Sequence, residues 1–219
     1  MLYRLTTVME AESMIDYDED YYERGIETGK SCYQNYRWMP EMTIPMAMTM
    51  VDFLGILRGQ TVLEIGCAKG FLVKALRLLY RDAWGYDISS YALSHCDPEV
   101  KEFCSQSPSM LNQRAWDYCI AKDVFEHIHQ EELPGLLQQI TAKKLFAVIP
   151  LGENKRFYAD ANNFDKTHVT CQPTLWWKEM FMENGWTPER IMWRVEGIKD
   201  SYYKDNPFAH GFFLLTSNK

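Results

Sequence analysis

Apolar positions along the chain recur with two different spacings. Residues 46–57 are apolar nearly all round (Met46, Met50, Phe53, Leu54, Leu57), which predicts a buried helix ended by Arg58-Gly59. Residues 61–65 (TVLEI) form a short β-rich run, followed by a glycine-bearing turn over 66–70. In 71–80 (FLVKALRLLY), Leu72, Ala75, Leu76 and Leu79 share one side, the spacing of a helix. Residues 83–88 read as a second strand with an acid near its end. Residues 89–96 read as a short helix capped by Ser89 or Ser90. A weak strand at 100–104, a stronger one at 116–121, a helix at 130–140 and a strand at 144–150 continue the alternation. A helix over 173–184 is closed by Gly185, and strands at 190–195 and 211–216 complete the chain. Residues 151–172 have little periodicity and read as a long loop, and loops of that length in compact domains are often functional.

A strand–turn–helix–strand unit predicts a parallel sheet with right-handed crossovers, hence an α/β fold. Ahead of it, Asp16, Asp18, Glu19 and Asp20 read as a solvated face or frayed arm. Between that arm and the first helix, Tyr33, Tyr36, Arg37 and Trp38 bring aromatic rings and a cation together.

Composition narrows the picture. The chain has 219 residues, 47% of them hydrophobic and 14% aromatic, enough to build a real core. The expected organisation is one domain over 1–219: an N-terminal arm and helix over 1–58, a core over 59–150, and a long loop with closing helix and strands over 151–219. A net charge of −7 repels phosphate backbones, which disfavours nucleic acid as partner. No C-x-x-C pair occurs among the six cysteines, so no metal is expected, and free thiols point to the reducing cytoplasm. No signal peptide is expected at the N-terminus, and no run of about 18 apolar residues predicts a membrane span.

The turn Glu64-Ile65-Gly66-Cys67-Ala68-Lys69-Gly70 carries the chemistry. Glycines there allow positive φ and close approach of a ligand, and the helix behind turns its positive end toward it. Asp87 follows Gly66 by about 20 positions, the distance at which an acid closing the second strand meets ribose hydroxyls. The three-glycine fingerprint of dinucleotide enzymes is missing, and Phe71 after Gly70 excludes a P-loop.

These residues resemble the class I, Rossmann-like S-adenosylmethionine-dependent methyltransferases, in the small-molecule and sugar branch. The turn matches their first motif, Asp87 matches the second, and residues 117–128 (DYCIAKDVFEHI) resemble the segment ending in Glu-His that follows their fourth strand. The resemblance is good over about residues 60–150. It implies a doubly wound α/β/α sandwich: a mostly parallel seven-stranded sheet, its last strand antiparallel, with helices on both faces. It further implies S-adenosyl-L-methionine as cofactor and S-adenosyl-L-homocysteine as product. Gly66, Cys67, Ala68, Lys69 and Gly70 would line the methionine and ribose, Glu64 would hold the ammonium, and Asp87 with Ile88 and Ser89 would take the ribose. Lys122, Asp123 and Val124 would sit beside the reacting methyl, and Arg37, on an arm folded over the site, would pair with the carboxylate. The usual acid after strand three is missing, leaving adenine to backbone groups, Ser105 or Gln106.

A hydroxyl acceptor needs a base, because an alcohol is a poor nucleophile at neutral pH. His168, in the segment Asp165-Lys166-Thr167-His168 of the long loop, and His127 are the candidates, with Asp165 as partner. His129 and His210 receive no role. Alternatively, the two histidines pin loop and turn structurally. Tyr33, Tyr36, Trp38 and His168 are the expected acceptor contacts, against the alternative that the aromatics anchor the arm. Residues 197–200 are expected to edge the acceptor pocket, and Trp176-Trp177 to pack a helix. The acceptor expected is a small molecule such as a sugar or nucleotide sugar, met by a monomer or homodimer. Nucleic-acid or protein methylation, and cofactor binding without transfer, are the other readings.

Overall fold

The computed structural model describes residues 17–203 and 206–218. The first residues of the chain, on which the signal-peptide argument rests, and Asp16 of the acidic arm lie outside them.

Seven strands form the central sheet: β1 (Thr61–Ile65), β2 (Asp82–Tyr86), β3 (Cys104–Ser105), β4 (Trp116–Lys122), β5 (Ala142–Pro150), β6 (Trp186–Met192) and β7 (His210–Ser217). Their order is β3-β2-β1-β4-β5-β7-β6. The β1–β2, β1–β4, β2–β3 and β4–β5 pairs are parallel, while β7 runs antiparallel to both β5 and β6. This is the doubly wound, mostly parallel sheet expected, with its last strand reversed.

Side chains alternate across the sheet, so each strand feeds two cores. Val62, Ile120, Phe146 and Phe212 face one side, with α1 (Pro40–Leu54) and α2 (Phe71–Leu78). Leu63, Cys119, Leu145 and Phe213 face the other, with α4 (Leu133–Gln139) and α5 (Thr174–Glu183). A short α3 (Ser90–Ser94) follows β2, its N-terminus capped by the Ser89 hydroxyl, which accepts from Ala92 N–H at 2.9 Å. Trp177 on α5 is wholly buried, as a packing residue should be. Among the described residues no helix is long and apolar enough to cross a membrane.

Several boundaries differ from the sequence pattern. The first helix begins at Pro40 and ends at Leu54, where Gly55 turns left-handed (φ 66°) and the Ile56 N–H bonds back to the Val51 carbonyl at 3.0 Å. That terminal motif ends the helix, and Ile56 is apolar because it packs into the core beyond it. Residues 100–104 form a 3₁₀ turn (Lys101–Phe103) before the two-residue β3, an edge strand that pairs only with Gly85 and Tyr86. The helix predicted over 130–140 shortens to Leu133–Gln139, with Pro134 in its first turn. Strand β6 starts at Trp186 rather than 190, because ladder pairing with β7 overrides a polar, Pro188-containing sequence at the sheet edge. The 151–172 loop contains a tight hairpin (Gly152–Glu153 with Arg156–Phe157) and a 3₁₀ turn (Asp160–Asn163).

The acidic arm is not a plain solvated face. Asp18 caps the helical turn Glu19–Glu23 and pairs with Lys30 at 2.7 Å. Tyr21 and Tyr22 on that turn are buried, 4% and 5% exposed. The acids stay at the surface while the tyrosines between them reach inward.

Candidate active site

Strand β1 lies beside β4, and the connection leaving β1 runs to β2 on one side while that leaving β4 runs to β5 on the other. Such a switch point opens a crevice where ligands bind. Here it opens into a cavity of about 950 Å³, walled by the ends of β1, β2 and β4, by the arm, and by residues near 199.

The floor is the glycine turn. Gly66 has φ 74° and its N–H donates to the Tyr86 carbonyl at 2.8 Å. A Cβ at Gly66 would meet Val124 Cγ2 at 2.5 Å, so glycine is required both by conformation and by the approach of the β4 end. Gly70 (φ 77°) starts α2. Ala68, also left-handed at φ 48°, donates its N–H to Asp87 Oδ2 at 2.7 Å, while Ser89 N–H donates to Asp87 Oδ1 at 2.7 Å. Asp87 is thus fixed by two backbone donors at the tip of β2, and burial pushes its carboxyl pKa up against the pull of those donors.

Glu64 stands at the wall of this cavity, 8% exposed, with Oε2 lacking any hydrogen-bond partner. Burial pushes its carboxyl up to about 8 against the opposing pull of Lys122. A buried carboxylate oxygen without a donor is costly, and a cationic ligand is what such a group accommodates.

The end of β4 carries a second charge cluster. Asp123 turns left-handed (φ 55°) and binds both Lys122 Nζ at 2.7 Å and Lys199 Nζ at 2.6 Å. The two ammonium groups hold the Asp123 carboxyl well below the usual range although burial opposes them. Residues Gly197, Lys199 and Asp200 edge the cavity, the placement expected of 197–200.

Behind that cluster lie the histidines. His127 lines the cavity; its Nδ1 bonds Thr167 Oγ1 at 2.7 Å, and Thr167 donates its hydroxyl to Asp165 Oδ1 at 2.5 Å. The Thr167 proton points to Asp165, so Nδ1 carries the hydrogen and Nε2 is left with a lone pair. His168 donates from Nδ1 to the Asn162 carbonyl at 2.8 Å, and its ring meets that of His127 edge-on at 4.7 Å. Burial pushes the His127 ring down to about 4, helped by its neighbour His168, and lowers His168 as well. Neither His168 nor Asp165 lines the cavity; both stand behind His127.

Of the remaining expected residues, Ile88, Tyr33, Tyr36 and Arg37 line the cavity. Arg37 is exposed at its rim and donates to the Asn35 carbonyl at 3.5 Å. Cys67, Lys69, Gly70, Ser89, Ser105 and Trp38 do not line it. The Cys67 sulfur packs against Gly85. Lys69 ties the arm down through Glu23 and the Tyr36 carbonyl. The Ser89 hydroxyl donates to the Tyr17 carbonyl at 2.6 Å. Ser105 bonds the Ser107 N–H, and the Gln106 amide donates to the Ile88 carbonyl. Trp38 lies against Phe71 with Lys74 Nζ 5.2 Å from its ring, an anchor of the arm. Tyr17, Tyr21 and Tyr22 complete the cavity roof, and sequence reading missed them. Their only signal was the tyrosines spaced within the acidic stretch.

A glycine turn between β1 and α2, an acid at the tip of β2 and a doubly wound sheet with reversed last strand make up the Rossmann-like fold of class I methyltransferases. In agreement, residues 46–148 match the family model described as a methyltransferase domain. No curated protein matches the chain significantly. Similar solved structures share the fold at low identity. The magnesium protoporphyrin IX methyltransferase ChlM from Synechocystis PCC 6803, with bound S-adenosylhomocysteine, is 17% identical, with a TM-score of 0.57 over 81% of this chain and 82% of that one. The mitomycin 7-O-methyltransferase MmcR is 12% identical, with a TM-score of 0.56 over 89% and 65%. The pyocyanin biosynthetic protein PhzM is 11% identical, with a TM-score of 0.56 over 78% of this chain and 54% of that one, so the chain spans about half of PhzM.

Proposed function

We propose that the chain transfers the methyl group of S-adenosylmethionine to a hydroxyl of a small molecule, a sugar or nucleotide sugar, in the cavity over β1, β2 and β4. The observation that carries this reading is Glu64: a buried carboxylate on the wall of a nucleoside-sized cavity, its Oε2 unpartnered, opposite the fixed acid Asp87. Glu64 suits the ammonium of the cofactor, and Asp87 keeps lone pairs free for ribose hydroxyls beyond its two backbone donors. Gly66, Ala68 and Val124 present bare backbone and a small apolar surface beside them. Ile88 flanks the adenosine side, and Arg37 at the rim suits the cofactor's carboxylate.

The cofactor supplies an electrophilic sulfonium methyl; the chain's residues bind, orient and exclude water. His127 reaches the cavity with a neutral ring and a free Nε2, the state needed to take the acceptor's proton. Asp165, through Thr167, and His168 position that ring. Tyr33 and Tyr36 offer faces and hydroxyls to the acceptor. Six free cysteines suit a reducing compartment, the cytoplasm.

Calorimetry with S-adenosylmethionine and with NAD tests the cofactor reading; micromolar binding of the first and none of the second is expected. A screen of sugar nucleotides and cell extract with methyl-labelled cofactor tests the acceptor. Label appearing only in nucleic acid or protein, or in nothing, overturns the small-molecule reading. His127→Ala should keep cofactor affinity and lower turnover by about 100-fold or more.

A further inference from the structure

Glu126, His127 and His168 form a cluster that methyl transfer by itself does not explain. One ligand atom from each lies within 4.8 Å of the other two. Glu126 is wholly buried, and both its carboxylate oxygens lack a hydrogen-bond partner. Its Oε1 is 3.9 Å from His127 Nε2. Each ring is held by its other nitrogen: His127 through Thr167 and Asp165, His168 through the Asn162 carbonyl. Both Nε2 lone pairs are therefore free. Metal-ligating histidines show this arrangement, in which outer hydrogen bonds select the tautomer and fix the ring. The cluster is also pinned as a unit, since Val169 and Thr170 N–H groups donate to the Glu126 carbonyl at 2.8 and 2.9 Å.

We propose that Glu126, His127 and His168 bind one divalent first-row transition-metal ion of the zinc class at the inner wall of the cavity. Two imidazoles and one carboxylate form a three-ligand set that leaves coordination positions open. Two ring nitrogens favour a transition metal over magnesium or calcium, which prefer oxygen. Ligand atoms around such an ion stand about 3 Å apart, from metal–ligand distances of about 2.0–2.2 Å, so the three side chains need to close inward by roughly 1 Å. The local charge permits it. Asp165 adds a nearby carboxylate, while Lys122 and Lys199, the neighbouring cations, are both bonded to Asp123. The ion also answers the question of what partners Glu126, whose two carboxylate oxygens are buried without a hydrogen-bond donor. The spacing of the cysteines pointed to no metal, and this site uses none of them.

The proposal is independent of cofactor binding but bears on the acceptor chemistry. An ion takes the Nε2 atoms of both histidines, so imidazole as base and metal loading are exclusive states of one pair.

The test is cobalt titration of tag-free, chelator-stripped protein, without S-adenosylmethionine, followed by visible absorption. One Co²⁺ per chain with ligand-field bands, displaced by Zn²⁺ and not by equimolar Mg²⁺, is expected, together with a higher melting temperature. His168→Ala should weaken binding by 100-fold or more, and the outer-shell change Thr167→Val by about 10- to 100-fold. Three results would overturn the site: no binding by wild type at 100-fold excess cobalt, a thiolate-to-cobalt charge-transfer band assigning the ion to cysteines, or unchanged affinity in His168→Ala. The wild-type titration decides even if a variant fails to fold. Calorimetry with S-adenosylmethionine remains a separate measurement, so a failed metal site and a failed methyltransferase reading are told apart.

Discussion

Replacing Glu64 by glutamine should make the protein more stable relative to wild type as pH rises. The Glu64 carboxyl is buried at the end of β1, lacks a donor at Oε2, and is pushed up to about 8. Its folded value lies above its unfolded one. The proton it holds therefore favours the native state at low pH, and that contribution is lost as pH rises from the unfolded value of about 4.3 through the folded value. Linkage between the two values puts the loss between pH 5 and 8 at roughly 3–4 kcal/mol. Glutamine does not titrate, so the stability difference between variant and wild type should grow by that amount over the same interval. Urea denaturation at pH 5, 6.5 and 8 measures it, and comparison with wild type cancels the other titrating groups. Parallel pH profiles for the two proteins would refute a protonated, desolvated Glu64. The same group makes cofactor binding pH-linked. An ammonium docking against Glu64 near pH 7 should release close to one proton, read by calorimetry in buffers of different ionisation enthalpy.

Other expectations come from the same geometry. Asp87→Ala should weaken S-adenosylmethionine by about 1–3 kcal/mol, measured by calorimetry, and unaltered affinity would remove Asp87 from the ribose site. Gly66→Ala should destabilise by at least ~1–2 kcal/mol for its positive φ, with more from the contact to Val124 Cγ2 at 2.5 Å. Adding Val124→Ala should recover the contact part alone, and strict additivity in the double-mutant cycle would refute the clash. His210 is wholly buried with neither ring nitrogen bonded, and burial pushes it down to about 3. Its folded value lies below its unfolded one, so stability present above about pH 6.5 is lost as pH falls toward 3. His210→Gln should flatten the acid limb of the denaturation profile, and an unchanged limb would refute the buried neutral ring.

Local chemistry made much of this protein legible before its coordinates. The β1–turn–α2–β2 unit needed only a β-rich run, two glycines, one helical stripe and an acid at the right distance. All of these act over neighbouring residues, so the chain order displays them. A parallel sheet with right-handed crossovers followed from that unit, while the doubly wound, two-sided sheet was implied by the resemblance the motifs carry. Tertiary structure decided the rest. Strand β6 formed from a polar, proline-containing sequence because β7 offered it a ladder. Helix α1 stopped at Gly55 because Ile56 was drawn into the core. Tyr21 and Tyr22 became a cavity roof inside a stretch whose acids suggested solvent. His127 and His168 stood out separately in the sequence, but only folding brought the 165–170 loop onto the end of β4, where Glu126 has no donor of its own. Contacts between residues forty positions apart leave no local periodicity, so which side chains share a cavity is settled by packing alone.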